Sequence, residues 1–293
     1  MNRFLKLLLS EPPLRLATRA ILRNSFGFRY AFEWAALFDA LPYTQYATGL
    51  QIASRYAVLS GARSFTAIEF GVAGGNGLLS LSRYATEVSR QTKLEIKVVG
   101  FDSGAGLPST DDVRDAPWCW SPGDFPLDFD RLRQRLPSGT ELIIGDIRET
   151  FPKWLATGDE APIGFVSIDV DQYTGAAAIC SALGRVAVNR LLPFVSCYFD
   201  DILHFSIPRW AGEYCAIQEF NQTHPARQFD PDEWLIHNRP YPSRVWLKRM
   251  YTLSSQDHPL FRGRDKRRQT AYLNLDAQPA GGLEQVLPWS GTL

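Results

Sequence analysis

The sequence is poor in several residue types on which common functional classes depend. Its 293 residues include only four cysteines, which lie far apart without a C-x-x-C pair. This spacing favours reduced, structural thiols over a disulfide framework or a zinc site. Lys and Arg together number 31, and so do Asp and Glu. The formal net charge is therefore zero, and no global field attracts nucleic acid or an anionic membrane.

Long apolar runs are scarce as well. The apolar stretch near the N-terminus is interrupted by Lys6 and stopped by Pro12 and Pro13, which makes it too short for the core of a signal peptide or for a membrane span. Together these features predict a cytoplasmic protein that acts without a nucleic-acid or membrane partner. Hydrophobic residues nevertheless make up 45% of the chain and aromatic residues 13%, which is ample for a globular core.

Three segments are expected along the chain. Apolar residues recur at helical spacing from Leu14 to about Ser60, which predicts two or three helices in an N-terminal helical extension over residues 1–60. Residues 61–258 contain no Gly/Ser-rich linker and no repeat, and we interpret them as one domain. Residues 259–293 form a polar C-terminal tail with the basic cluster FRGRDKRRQT, which is most simply a solvated surface arm.

From Ser64 onward, short apolar runs that end in Gly or Asp alternate with segments of helical pattern. This alternation is typical of parallel sheets covered by helices on both faces, so the sequence predicts a doubly wound, mostly parallel α/β fold. The strand candidates are FTAIEFG, LEIKVVGFD, ELIIGD, GFVSIDVD and LPFVSCYFDD. In residues 232–253 a Pro-containing turn separates two runs, which we expect to form an antiparallel hairpin at the sheet edge.

A glycine-rich loop follows the first strand candidate. It reads E-x-G-x-x-x-G-x-G, with Glu69, Gly71, Gly75 and Gly77, and it directly precedes a helix candidate. Its glycines permit a tight turn and close approach to a ligand, and the helix start offers unpaired N–H groups. The spacing differs from the G-x-G-x-x-G of dinucleotide sites. The loop therefore predicts a nucleotide-type ligand other than NAD, with a plain strand-to-helix turn as the alternative.

The loop resembles motif I of class I S-adenosylmethionine-dependent methyltransferases, and later segments narrow the resemblance. GFDSGAGLP is similar to the F-D-S-x-x-G-L-P stretch of the macrocin and mycinamicin O-methyltransferase family, FVSIDVDQY to its I-D-x-D-x-Y segment and YFDD to its D-D segment. The matches follow the family's order from about Ser64 to Asp201. The resemblance implies a Rossmann-like methyltransferase fold and S-adenosylmethionine as the cofactor.

Seven residues are candidate cofactor ligands on this resemblance and on their positions at strand ends. Asp102, which ends the second strand candidate, is placed to accept hydrogen bonds from both ribose hydroxyls. Asp146, which ends the third, is placed at the adenine rim or, alternatively, caps the following helix. The full set is Glu69, Gly71, Gly75, Gly77, Asp102, Ser103 and Asp146.

Acidic residues also end the fourth and fifth strand candidates. Asp169 should converge with the pair Asp200 and Asp201, because neighbouring strands lie about 4.8 Å apart. Carboxylates so close together repel each other unless a hard divalent cation lies among them. An oxygen-only donor set favours Mg²⁺, with Mn²⁺ or Ca²⁺ as substitutes, and the resemblance implies the same magnesium ligands. Simple helix capping by these aspartates is the alternative.

Asp171 is the candidate general base. It lies two residues past Asp169, and its side chain points to the same side of the sheet if the strand continues that far. The resemblance implies the same role, and an aspartate that only stabilises the loop is the alternative. His204, which is close in sequence to the acidic pair, is the next candidate for the base.

These features lead to three functional hypotheses. The first is magnesium-dependent methyl transfer from S-adenosylmethionine to a hydroxyl of a sugar or polyol, carried by a small molecule or a glycan precursor. The second takes Asp169-Val-Asp171 as the D-x-D metal site of a nucleotide-sugar glycosyltransferase, which does not need the Gly-rich loop. The third is a cofactor-binding protein that acts as an assembly partner without catalysis. A homo-oligomer is compatible with all three.

Overall fold

The computed structural model describes residues 14–24, 31–157 and 161–262. Most of the tail predicted from residue 259 lies outside these ranges, as does the apolar stretch around Lys6. Within the described ranges, the helices are too short or too polar to cross a bilayer. All four cysteines fall in these ranges and are free thiols, as their spacing predicts.

The described chain forms one seven-stranded mixed sheet. Its strands are β1 (Ser64–Phe70), β2 (Glu95–Asp102), β3 (Thr140–Ile144), β4 (Ile163–Ile168), β5 (Leu191–Phe199), β6 (Arg227–Pro231) and β7 (Met250–Ser255). They lie in the order β3-β2-β1-β4-β5-β7-β6. Strands β1 to β5 are parallel, and β7 runs antiparallel to both β5 and β6. The prediction of a mostly parallel sheet with an antiparallel edge is confirmed.

The antiparallel edge does not lie where the sequence predicts it. Residues 232–253 contain the start of one strand, β7, preceded by a short helix at Glu233–Asn238 whose Leu235 is buried. The partner of β7 is β6, in which Phe229 pairs with Leu253. The prediction of a hairpin within residues 232–253 is therefore wrong. Apolar alternation does not reveal β6, because Phe229 is its only buried apolar side chain.

Helices cover both faces of the sheet. They are α1 (Leu14–Asn24), α2 (Ala31–Leu37), α3 (Thr44–Ser60), α4 (Asn76–Thr92), α5 (Phe129–Arg133), α6 (Ile147–Leu155), α7 (Tyr173–Arg185), α8 (Gly212–Thr223), α9 (Glu233–Asn238) and α10 (Pro259–Arg262). Along β1, Phe65 and Ala67 face the layer that contains α3 and α4, whereas Ile68 and Phe70 face the layer that contains α7 and α8. Burial on both faces explains the nearly continuous apolar runs of the parallel strands.

The three helices that precede β1 match the number expected from the sequence, and the last of them packs on the sheet. Gly49 of α3 lies so close to Phe165 of β4 that a Cβ built there would be 2.1 Å from a ring carbon. Tyr46, Leu50 and Ala53 of the same helix are buried. Helix α3 therefore belongs to the main body of the protein, and the boundary predicted at residue 60 does not coincide with a break in packing.

The strand order has a topological switch between β1 and β4. From β1 the chain proceeds to β2 on one side, whereas β4 lies on the other side. In open α/β sheets ligands bind outside the carboxyl ends of the strands at such a point, because the loops diverge there and leave a crevice. We therefore expect a ligand-binding site at the carboxyl ends of β1 and β4.

Candidate active site

A cavity of about 560 Å³ opens at this switch point. Its volume is within the range of small-molecule and cofactor sites. The loops that follow β1, β2, β4 and β5 build its wall. All eleven site residues predicted from the sequence line it, namely Glu69, Gly71, Gly75, Gly77, Asp102, Ser103, Asp146, Asp169, Asp171, Asp200 and Asp201. Their individual roles stay predictions.

The loop after β1 requires glycine at two positions because it packs closely on the protein. Gly71 has a φ of +84°, and a Cβ there would lie 1.7 Å from the carbonyl oxygen of Asp169. A Cβ at Gly77 would lie 1.9 Å from Oε1 of Glu69. In contrast, no atom lies within 4 Å of a Cβ built at Gly74, which also lines the cavity. The loop thus packs tightly against the rest of the protein at Gly71 and Gly77 and leaves free space beside Gly74.

Asp102 ties the loops after β1 and β2 together. Its Oδ2 accepts hydrogen bonds from the amides of Val72 at 2.8 Å and Ala73 at 2.9 Å, and its Oδ1 accepts one from the amide of Gly104 at 2.7 Å. A carboxylate has about four acceptor positions, so these bonds leave room for about one further donor. The ribose contact of Asp102 stays a prediction, and the structure adds a role in shaping the cavity rim.

A buried hydrogen-bond chain lies beneath the cavity. The hydroxyl of Tyr46 donates to Glu69 Oε1 at 2.7 Å and accepts from Ser167 Oγ at 3.0 Å. Glu69 and Ser167 are paired across β1 and β4. Burial raises the pKa of Glu69 well above its usual value, against the opposing effect of the Tyr46 hydroxyl. The second carboxylate oxygen, Oε2, is buried and has no hydrogen-bond partner within the described part of the chain.

Ser103 and Asp146 line the cavity and have partners of their own. Ser103 donates from Oγ to the carbonyl of Gly106 at 2.7 Å. Asp146 accepts a hydrogen bond from the amide of Arg148 at the start of α6, at 2.9 Å, and pairs with its guanidinium at 2.5 Å. The helix cap that the sequence left as the alternative for Asp146 is therefore present, and an adenine contact stays a prediction.

The register of β4 and β5 brings the candidate metal ligands together. Ile168 pairs with Phe199 at the end of both strands, which makes Asp169 and Asp200 the next neighbours across the ladder. Carboxylate oxygens of Asp169, Asp200 and Asp201 lie within 4.8 Å of one another. The predicted convergence of these three side chains is confirmed.

Negative charge accumulates in this cluster. Burial, and then the charges of Asp200 and Asp201, raise the pKa of Asp169 well above its usual value. Burial and the charge of Asp200 likewise raise the pKa of Asp201. Arg249 lies 2.7 Å from Asp200 Oδ1, and Tyr198 donates a short hydrogen bond to the same oxygen. One guanidinium beside three carboxylates leaves an excess of negative charge, which a divalent cation would compensate.

Asp171 lies beside the cluster, as predicted, but it is not brought there by a continuation of strand β4. Strand β4 ends at Ile168, so the expectation that the strand continues to Asp171 is wrong. Asp171 instead has a φ of +59° in the turn before α7, and its carboxyl group lies close to that of Asp201. Burial, followed by the charges of Asp201 and Asp169, raises the pKa of Asp171 to about 9. A cation held by the cluster would oppose this effect.

Glu213 is a buried residue of the site that the sequence analysis missed. It lies in the first turn of α8 and accepts hydrogen bonds from the amides of Val170 at 3.2 Å and Asp201 at 3.1 Å. No sequence motif marks it, because its place depends on how the start of α8 packs against two loops that are distant in sequence.

Aromatic side chains form the outer wall of the cavity. Trp120 and Phe125 line it, with ring centroids 6.0 Å apart. Trp118 donates from Nε1 to the carbonyl of Ser206 at 2.9 Å, which joins the loop after β2 to the loop after β5. His204, the alternative base, packs against Trp120 with ring centroids 5.4 Å apart. The aromatic loop after β2 therefore both packs on its neighbour and faces the cavity.

The cavity residues fit the cofactor and the cation that the resemblance implies. The unpartnered Oε2 of Glu69 provides an acceptor for a ligand's ammonium or hydroxyl group. The start of α4 directs unpaired N–H groups toward the same loop. The cluster of Asp169, Asp200 and Asp201 offers oxygen atoms alone, which is the donor type that Mg²⁺ prefers.

Two solved structures of methyltransferases are similar to this one. CalS11, a calicheamicin methyltransferase, is similar over 83% of this chain and 93% of its own, with 21% sequence identity and a TM-score of 0.51. The chain has the fold of a class I methyltransferase. The O-methyltransferase NovP is similar over 72% of this chain and 80% of its own, with 12% identity and a TM-score of 0.50. No protein-family model and no characterised protein matches the chain by sequence.

Proposed function

We propose that the protein transfers a methyl group from S-adenosylmethionine to a hydroxyl of a sugar or polyol-containing acceptor, in a magnesium-dependent reaction. The observation that carries this proposal is the position of the three-carboxylate cluster in the wall of the same cavity as the Gly-rich loop and Asp102. A loop suited to a nucleotide-type cofactor and a cluster suited to a cation thus face one space. The methyltransferase fold supports the proposal, and NovP is an O-methyltransferase.

The Gly-rich loop, Glu69 and Asp102 would hold S-adenosylmethionine, which supplies the methyl group. Asp102 keeps the loops after β1 and β2 in place through three amide hydrogen bonds. The protein's main contribution is then to hold donor and acceptor in line, because fixed geometry converts a bimolecular step into an effectively unimolecular one.

Asp169, Asp200 and Asp201 would hold Mg²⁺, which supplies Lewis acidity at the acceptor oxygen. Asp171, whose carboxyl group lies close to that of Asp201, would take the proton of the acceptor hydroxyl. Trp120 and Phe125, whose rings line the outer side of the cavity, would cover a bound acceptor there.

The charge of the cavity wall favours an uncharged acceptor. Arg148 is the only cationic residue among the described cavity-lining residues, and it pairs with Asp146 at 2.5 Å. A diphosphate group would therefore depend on a cation held by the three-carboxylate cluster, because the described lining residues offer it no free cationic side chain. Sugar or polyol hydroxyls, in contrast, donate hydrogen bonds to carboxylates and stack their apolar faces on aromatic rings such as Trp120 and Phe125.

Thermal unfolding, measured separately with the ligands of two alternative functions, tests the proposed function. S-adenosylhomocysteine should raise the unfolding temperature by several degrees, since a ligand at about 100 times its Kd stabilises the folded state by about 2.7 kcal/mol. UDP-glucose with Mg²⁺ should raise the unfolding temperature no further than the same concentration of Mg²⁺ alone, since the proposed cluster itself binds the cation. Stabilisation by UDP-glucose and not by S-adenosylhomocysteine would replace the proposal with the glycosyltransferase hypothesis.

A further inference from the structure

A buried carboxylate joins the two loops that carry the candidate metal ligands. Glu213 is only 1% exposed. Its Oε1 accepts a hydrogen bond from the amide of Val170 at 3.2 Å, and its Oε2 accepts one from the amide of Asp201 at 3.1 Å. Val170 belongs to the loop after β4 and Asp201 to the loop after β5, so a single side chain spans both loops.

After β4 and after β5, Glu213 binds the first backbone amide that no longer donates a hydrogen bond to a strand carbonyl. The amides of Asp169 and Asp200 still donate to strand carbonyls, at 2.9 and 3.1 Å respectively. The next amide along each loop is the one that Glu213 accepts. Glu213 therefore supplies the hydrogen-bond acceptors for both loops at the point where the hydrogen-bond ladder between the strands ends.

The geometry of this position suits a carboxylate. Each amide donates to a different oxygen of Glu213, whereas a glutamine would turn its NH₂ group toward one of the two donors. Burying a carboxylate is costly without compensation, and the charges of Asp201 and Asp169 add repulsion. Two amide hydrogen bonds and a cation held by the neighbouring aspartates would offset that cost.

We propose that Glu213 is a positioning residue for the metal site. It holds the loops after β4 and β5 at the separation at which Asp169, Asp200 and Asp201 bind one divalent cation. The inference rests on the proposed function, since it requires that the cluster binds a cation. Partners that orient metal ligands in this way typically change metal affinity by about 10- to 100-fold when they are lost.

The test is a titration of Mn²⁺ into the full-length protein, read by calorimetry and by the electron paramagnetic resonance signal of free Mn²⁺. Glu213→Gln keeps the length of the side chain and removes one acceptor, whereas Glu213→Asp keeps the charge and shortens the reach. Both variants should bind Mn²⁺ at least about tenfold more weakly than the wild type. Their affinity for S-adenosylhomocysteine should fall much less, because the hydrogen bonds of Glu213 go to the loops after β4 and β5 and not to the Gly-rich loop.

The matched control is Asp232→Asn. Asp232 is also a buried carboxylate, 5% exposed, with a hydrogen bond from Thr252 at 2.7 Å, but it does not line the cavity. This variant should shift the unfolding temperature and leave the Mn²⁺ affinity unchanged. A merely structural role for Glu213 predicts the same pattern for its own variants.

Two results would overturn the inference, and they differ in what else they affect. If the wild type binds Mn²⁺ and the Glu213 variants bind it equally well, Glu213 has no positioning role and the proposed function stands. If the wild type itself binds no Mn²⁺, the metal-dependent part of the proposed function fails, and the inference fails with it. Should Glu213→Gln not fold, Glu213→Asp carries the same expectation and decides the question.

Discussion

At the scale of single residues, the two aspartates that follow β4 have different surroundings. Asp169 extends the sheet ladder by donating its amide to the carbonyl of Phe70 at 2.9 Å, and its carboxylate lies within the three-residue cluster. Asp171 lies past a turn, with a φ of +59°, and reaches the cluster through Asp201. This difference in position underlies the roles proposed for them, Asp169 as a metal ligand and Asp171 as the proton acceptor.

Two substitutions distinguish these roles. Asp171→Asn should bind Mn²⁺ and S-adenosylhomocysteine as the wild type does and still lose about 10²- to 10⁴-fold in turnover, because the acceptor proton has no base. Asp169→Asn should lose Mn²⁺ binding itself. Turnover is measured as S-adenosylhomocysteine release with a panel of glycosides, and metal binding by calorimetry. If Asp171→Asn loses Mn²⁺ as fully as Asp169→Asn, Asp171 is a ligand and His204 becomes the next candidate for the base.

The sequence predicts the site residues that end strands. It does not predict the site residues that reach the same place from other elements of the fold. Asp102, Asp169 and Asp200 end apolar runs, and parallel pairing alone brings such positions to one edge of a sheet. Glu213 reaches the site from the start of a helix. Its contacts depend on how α8 packs, which no local pattern encodes.

At the scale of secondary-structure elements, α3 is the helix that links the N-terminal part of the chain to the cavity. Its Tyr46 is 1% exposed and contacts both β1, through Glu69, and β4, through Ser167. The hydroxyl satisfies a buried carboxylate oxygen that would otherwise be without a donor. Helix α3 therefore contributes to the floor of the site.

Tyr46→Phe should lower the free energy of unfolding by about 1–3 kcal/mol, the usual cost of leaving a buried polar group without its partner. Chemical denaturation with urea measures this change. The control is Tyr84→Phe, which removes a hydrogen bond to the backbone carbonyl of Pro42, whereas the hydroxyl of Tyr46 bonds to the cavity-lining Glu69. S-adenosylhomocysteine affinity should fall in Tyr46→Phe and not in Tyr84→Phe. A Tyr46→Phe protein with wild-type stability and affinity would contradict the assigned role of α3.

The edge of the sheet shows why some elements are hard to predict. Strands β1, β4 and β5 are buried on both faces, so each leaves an apolar run that the sequence displays. Strand β6 reads RQFDP, and its identity as a strand comes from pairing with β7. Helix α9 has the apolar run WLI, which is too short for its period to distinguish helix from strand.

At the scale of the whole molecule, the balanced net charge conceals an uneven distribution. The described cavity wall contains eight acidic side chains, Glu69, Asp102, Asp124, Asp146, Asp169, Asp171, Asp200 and Asp201, and one cationic side chain, Arg148. A net charge of zero thus excludes a long-range electrostatic field, but it does not determine the local charge of the cavity. The local excess of carboxylates is what favours a cation and a neutral, hydroxyl-bearing acceptor.

The central claim is that this cavity binds S-adenosylmethionine, and calorimetric titration with S-adenosylhomocysteine tests it most directly. The wild type should bind, and Asp102→Ala should bind at least about tenfold more weakly, equivalent to about 1.4 kcal/mol, because Asp102 shapes the loops after β1 and β2 and is the predicted ribose ligand. Asp128→Ala removes a helix-capping aspartate outside the cavity wall and should bind as the wild type does. A wild-type protein that takes up no S-adenosylhomocysteine, or an Asp102→Ala variant that binds it with undiminished affinity, would contradict the account.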